Sequence, residues 1–123
     1  MTHVSISIDV PDLDQAVDFY CRALACTKLR DQGNMSVISN GSVEIFLLKR
    51  ASGSKPLQNS ENERAYDRHW TPVHLDFVVD DVDSAVKLIT KFGGSVEGTE
   101  SGDWGSIAYC ADPFGHGFCV IKE

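Results

Sequence analysis

Two stretches of this chain match each other without a gap at an offset of 69 residues, and that duplication limits the fold more than any other feature. Asp12-Leu13-Asp14-Gln15-Ala16-Val17 aligns with Asp81-Val82-Asp83-Ser84-Ala85-Val86, with both Asp, the Ala and the Val identical. Each stretch follows a run that alternates as a strand does: Val4, Ile6 and Ile8 in the first copy, Leu75, Phe77 and Val79 in the second. A shared period joined to a shared helix start points to one supersecondary unit used twice.

The helix ends are readable. Asp12 is a candidate N-cap, Gln15 completes a capping-box pattern, and Asp14 adds negative charge to the first turn. Leu13, Val17, Tyr20 and Leu24 then recur at helical spacing, as do Val82, Val86 and Ile89 in the second copy. Gly93-Gly94 supplies a left-handed stop. Shorter strand candidates follow each helix, over 26–30, 34–39 and 42–49 and then over 95–99, 105–111 and 117–122. Asn40-Gly41 predicts a hairpin turn, and Asp112-Pro113-Phe114-Gly115 a turn at the matching place. The expected organisation is α+β: two βαβββ modules, over about 2–49 and 73–123, in a single domain with a cleft between the sheets. The polar, punctuated 50–72 segment joins them and is long enough to be a functional loop.

Composition excludes several function classes. A length of 123 residues with 42% hydrophobic and 24% charged content suits one folded domain. No apolar run nears the roughly 20 residues of a membrane helix, and the N-terminus lacks a signal-peptide pattern, so a cytoplasmic place is expected. The formal charge of -7 argues against nucleic acid as a partner. Cys21, Cys26, Cys110 and Cys119 form no CxxC pair and are read as free thiols.

Alternation also assigns faces. With Val4, Ile6 and Ile8 toward the helix, His3, Ser5 and Ser7 point the other way. With Leu75, Phe77 and Val79 toward the helix, His74, Asp76 and Val78 point away, and Phe118 and Val120 on the helix side leave Cys119 opposite. These outward faces are polar, which implies water, a partner or a ligand. A His beside an Asp can act as a general base, and a Cys beside a His as a nucleophile, so His74 and Asp76 are the catalytic candidates. Cys119 reads equally as a small apolar filler. Trp104 ahead of a strand and Tyr109 on it offer aromatic surface for stacking, with His69-Trp70 as a second possible lid or interface element. His116 is expected to be exposed and structural.

The runs Asp12-Leu13-Asp14…Phe19-Tyr20, His74-Leu75-Asp76-Phe77…Asp80-Asp81 and Asp112-Pro113-Phe114-Gly115-His116 resemble the vicinal oxygen chelate superfamily. This group includes glyoxalase I, fosfomycin-resistance transferases, extradiol dioxygenases and bleomycin-binding proteins. The resemblance covers nearly the whole chain outside 50–72. It implies a glyoxalase-like fold, two βαβββ modules forming a partly open β-sheet barrel around a cleft, usually within a homodimer.

The resemblance also implies where a metal would be held. One ligand position lies seven residues before the Asp that opens each helix: His74 in the second copy, Ser5 in the first, with His3 two residues earlier. The carboxylate position, seven after the Asp of the Asp-Pro turn, is Cys119, and aligning Gly41 with Gly115 makes Ile45 its counterpart, with Glu44 on the wrong face. Serine is a poor ligand for such a metal. The expectation is therefore a small-molecule-binding protein of the glyoxalase/bleomycin-resistance type without the usual metal centre and with no cofactor. Its ligand contacts would be His3, Ser5, His74, Asp76, Trp104, Tyr109 and Cys119. The alternative is a metal-dependent lyase, transferase or dioxygenase holding Zn, Ni, Mn or Fe through His74 with Cys119 or His3. A third class, a purely structural interaction module, predicts a filled cleft.

Overall fold

A computed structural model describes residues 1–123. Its contacts divide the chain into two compact units: Met1–Cys21 with Ala25–Tyr66, and Arg22–Leu24 with Asp67–Glu123. Ten elements run in the order β1 Ile6–Val10, α1 Leu13–Ala23, β2 Thr27–Gln32, β3 Met35–Ser39, β4 Glu44–Lys49, β5 Leu75–Val78, α2 Val82–Lys91, β6 Ser95–Gly102, β7 Gly105–Ala111 and β8 Gly117–Lys122. This is βαβββ twice over. Each copy makes a four-stranded sheet of the same topology, β1-β4-β3-β2 and β5-β8-β7-β6. The first and last strands of each copy pair in parallel, and the other neighbours are antiparallel.

The first helix start follows the expected chemistry, whereas Asp81 at the second makes no side-chain cap bond to the backbone. The Asp12 carboxylate accepts the Gln15 backbone N–H at 3.0 Å, filling one of the donors left open at a helix start. At the second helix the Ser84 hydroxyl donates to Asp81 at 2.5 Å. That helix ends as Gly93 turns left-handed at φ 102° and the Gly94 N–H reaches back to the Ile89 carbonyl at 2.8 Å. The buried stripes keep Tyr20, Leu24, Val82 and Ile89 of the expected residues and add their neighbours. In α1 they centre on Ala16, Phe19, Tyr20 and Ala23, and in α2 on Val82, Ala85 and Ile89. Leu13, Val17 and Val86 lie half-buried at the flanks.

In the second unit α2 packs on β6, β7 and β8. Phe77 and Phe118 meet edge to face, 5.7 Å between centroids, on the buried side of neighbouring strands. In the first unit Val10, Ile38, Ile45 and Leu47 are fully buried. Val4 departs from its assignment to the helix side: β1 begins only at Ile6, and Val4 is 76% exposed.

Register corrects the internal alignment. Ser39 pairs with Glu44 across four turn residues, whereas Ala111 pairs with Gly117 across five. The extra residue shifts the correspondence by one. Ser7 faces Phe46, and Asp76 faces Cys119, so the counterpart of Cys119 is Phe46 rather than Ile45. Ile45 instead matches Phe118 on the buried side. Glu44, two residues from Phe46, therefore lies on the same face as Phe46, not on the wrong one.

The connection is irregular but tied down. Arg64 donates to Asp9 at 2.7 Å and to Ser54 at 3.2 Å, and the Tyr66 hydroxyl donates to the Arg50 carbonyl at 2.8 Å. Further on, His69 makes an isolated bridge to His116, which is half-buried rather than exposed.

Candidate functional site

One row of residues crosses all four strands of the second sheet: Asp76 on β5, Cys119 on β8, Tyr109 on β7 and Gly98 on β6. Residues paired in this way present their side chains to one face, here the face away from Phe77 and Phe118. His74, two residues before Asp76, shares that face. A β-bulge between Val96 and Gly98 leaves Glu97 unpaired, and such an extra residue redirects a side chain. Glu97 and Gly98 together line a hollow with Trp70 and Tyr109, about 330 Å³ and open to solvent.

Trp70 comes from the connection and is seated from several sides. Its ring lies 4.9 Å from His74 and 6.3 Å from Tyr109, centroid to centroid. A methyl group at Gly117 would sit 2.7 Å from the indole, so the missing side chain there makes the seat. The Arg68 guanidinium lies over the indole, 5.3 Å from its centroid. Arg68 is itself fixed by Glu97, at 2.5 Å from Nε and 2.7 Å from Nη2, and donates to the His69 carbonyl. This fork-to-fork pair holds the Glu97 carboxyl below its ordinary range and raises the guanidinium.

The polar end of the row is a compact group. His74 Nδ1 stands 3.2 Å from an Asp76 oxygen, and one ligand atom each from His74, Asp76 and Cys119 lie within 4.8 Å of one another. Cys119 is 1% exposed. Burial, and then the charge and hydrogen bond of Asp76, push its thiol up to about 11. It is a protonated thiol beside Asp76, not the thiolate a nucleophile requires. On the far side of the row Tyr109 donates to Glu100 at 3.2 Å, and the Glu100 charge raises the phenol.

Four of the sequence candidates thus meet on one face: His74, Asp76, Tyr109 and Cys119. Trp104 lies farther along, its indole against Gly102, where an added Cβ would meet Nε1 at 2.9 Å, and it does not line the hollow. The β6–β7 hairpin runs two pairs beyond its counterpart in the first sheet, through Ser101–Ser106 and Gly102–Gly105, and carries Trp104 at its tip, 55% exposed. His3 and Ser5 belong to the first unit, on exposed chain ahead of β1. Arg68, Glu97 and Gly98 were not among the candidates. Only the strand register and the bulge bring them in, and neither leaves a mark on hydrophobic alternation.

The family model for the glyoxalase-like domain matches residues 5–121. The chain belongs to this family. It is thereby a member of the vicinal oxygen chelate superfamily, and the tandem βαβββ modules are its glyoxalase-like fold. Solved structures agree at the level of fold. The fosfomycin resistance protein FosX from Listeria monocytogenes superposes with a TM-score of 0.76 at 16% identity, over 100% of this chain and 93% of that one. A glyoxalase-related enzyme from Fulvimarina pelagi gives 0.77 at 14% identity, over 100% and 89%. A mutant of the Listeria protein complexed with Mn(II) and 1S,2S-dihydroxypropylphosphonic acid gives 0.74 at 16%, over 98% and 90%. No curated protein matches the sequence. No helix is long and apolar enough to cross a membrane.

Proposed function

We propose that this glyoxalase-like protein binds a small organic molecule on the open face of its second sheet, without the usual metal centre of the superfamily. One observation carries the reading: the row Asp76–Cys119–Tyr109–Gly98 ends in a glycine where a Cβ would meet nothing within 4 Å, in a hollow whose other wall is the Trp70 indole. An aromatic wall beside a few convergent polar groups is the usual make-up of a ligand site. Of the expected contacts, His74, Asp76 and Tyr109 serve this reading directly. Cys119 contributes packing under Asp76.

The test is a screen of the whole chain against small aromatic, peptide-like and cationic compounds, followed by indole N–H and backbone NMR shifts. Shifts centred on Trp70, Tyr109 and Gly98 are expected. Absence of any shift at these residues across the panel overturns the reading.

A second reading, a metal-dependent lyase, transferase or dioxygenase, is favoured by one observation: the His74, Asp76 and Cys119 ligand atoms lie within 4.8 Å of one another. Imidazole, carboxylate and thiol meet the three-ligand count of a catalytic zinc site, and the mutant Listeria relative is seen with Mn(II). Asp76 would supply the third ligand beside His74 and Cys119. A divalent metal held there would provide Lewis acidity to an oxygen of the substrate. Against it stands the Cys119 proton, which burial and Asp76 retain up to about 11 and which metal binding would have to expel. Elemental analysis of protein purified without chelator decides between the two. Stoichiometric metal that disappears in His74→Ala establishes the second reading. Sub-stoichiometric metal, with no thermal shift on adding Zn, Ni, Mn or Fe(II), leaves the first.

A further inference from the structure

Charge on this face is uneven, and the unevenness names a ligand class. Of the carboxylates on this face, Glu97 lines the hollow, Glu100 is hydrogen-bonded to its Tyr109 wall, and Asp76 stands at the far end of the row, while one guanidinium, Arg68, is paired with Glu97. Arg68 is committed: its Nε and Nη2 face the two oxygens of Glu97, so that pair is closed on itself. Asp76 faces the His74 ring nitrogen at 3.2 Å. Glu100 accepts from the Tyr109 phenol, a donor that brings no positive charge, at the edge of the aromatic wall. Lys122 does not oppose it: next in chain to Ile121, it points to the other face, where its charge acts on Asp81.

Arg68 also shows what the indole accepts. A planar cation already rests over one part of Trp70, at 5.3 Å from its centroid. Tyr109 and Trp70 stand at 67° to each other, so a flat ring can lie on one while its edge meets the face of the other. Gly98 leaves the floor clear, and Glu100, two residues along the same strand, lies on the same side.

Resting on the small-molecule reading above, we propose that the hollow selects a planar aromatic cation, its ring against Trp70 and Tyr109 and its positive end toward Glu100. An electron-rich aromatic face and an uncompensated carboxylate both favour positive charge. An anion there would meet Glu100, while the one guanidinium at the hollow is committed to Glu97. A phosphonate of the kind bound by the mutant Listeria relative is therefore a poor ligand here.

The experiment compares four probes on the full-length chain at about pH 8, where quinoline is uncharged. They are N-methylquinolinium, quinoline, 2-naphthoate and propylphosphonate, titrated while the Trp70 indole N–H is followed by NMR. N-methylquinolinium is expected to bind about tenfold or more tightly than quinoline, with the two anions weaker still. Glu100→Gln should cut that cation-to-neutral ratio by about threefold or more while leaving quinoline binding unchanged. Glu100 lies exposed on an edge strand, so this substitution leaves the fold intact, which the backbone spectrum verifies. Quinoline or 2-naphthoate binding as tightly as the cation overturns the charge inference but leaves small-molecule binding standing. An unchanged ratio in Glu100→Gln does the same. Failure of all four probes to move Trp70 or its neighbours removes this inference, and only the wider panel then speaks for the binding reading itself.

Discussion

The two sheets share one backbone plan and use it differently. Across the first sheet the row that matches the candidate site reads Ser7–Phe46–Val37–Arg30. There Arg30 reaches over the Phe46 ring at 5.9 Å and pairs with Glu44 at 3.4 Å, so the row closes over itself. Across the second sheet the row reads Asp76–Cys119–Tyr109–Gly98. Both edge strands carry a bulge at the same place, with Leu29 unpaired in one and Glu97 in the other. Where the first sheet has an arginine that folds back, the second has a glycine. The arginine that stacks on an aromatic ring arrives instead from the connection, as Arg68 over Trp70. Duplication supplied the same sheet twice, and side-chain choice at four positions left only the second row with an open floor.

That contrast fails first if Cys119 is reactive. Its counterpart Phe46 can only pack, and the structure assigns Cys119 the same role. With its thiol pushed up to about 11, Cys119 should be carbamidomethylated by iodoacetamide roughly a hundredfold or more slowly than an unperturbed thiol near neutral pH. Peptide mapping of the labelled protein gives the rate at each of the four cysteines. Rapid labelling at Cys119 would restore the nucleophile role. Next in size is the indole. Trp70→Ala should weaken any ligand of this face by about 2 kcal/mol, roughly thirtyfold, the scale of an aromatic anchor at a binding site. Calorimetric titration of variant and parent measures it.

A transplant sharpens the comparison further. Gly98→Arg places in the second sheet the residue that its counterpart carries, at a position where an added Cβ meets nothing within 4 Å. It should reduce ligand affinity about tenfold or more through lost volume and added charge, with thermal stability changed little because the site is open. Equal affinity in parent and variant would mean that the open floor is not where the ligand lies.

How much of this could be read from the sequence depends on which interaction fixed each part. Asp12 and Asp81, the Gly93-Gly94 stop and the alternation of Leu75 and Phe77 are local signals, set by caps, turns and burial within a few residues. They gave the two modules and put His74 and Asp76 on one face. Register is not local. The five-residue turn from Asp112 to His116, one longer than its counterpart, moved the match of Cys119 from Ile45 to Phe46 and brought Glu44 onto the open face. The two extra pairs at the tip of β6–β7 took Trp104 away from Tyr109. Trp70 was noted only as a possible lid, because its place depends on a missing side chain at Gly117 some way along the chain. Arg68 and Glu97 meet across 29 residues and through a bulge, which no periodicity records.

The smallest expected effect separates the two bulges. Leu29 in the first sheet carries no charge, whereas Glu97 in the second is ionised against Arg68 and holds a pKa below its ordinary 4.5. A depressed carboxyl contributes its stabilisation above the unfolded value of 4.5 and loses it as the pH falls through the lower folded value. The pair is partly exposed, with side chains 28% and 39% accessible, so the contribution after solvent screening is less than about 1 kcal/mol. Below pH 4.5 the Arg68 guanidinium should therefore loosen over Trp70. The Trp70 indole N–H should shift in that window. Glu97→Gln should abolish the step, since an amide in that place has no proton to gain. A step that survives in Glu97→Gln would assign it to a different carboxylate and remove the distinction between the two bulges.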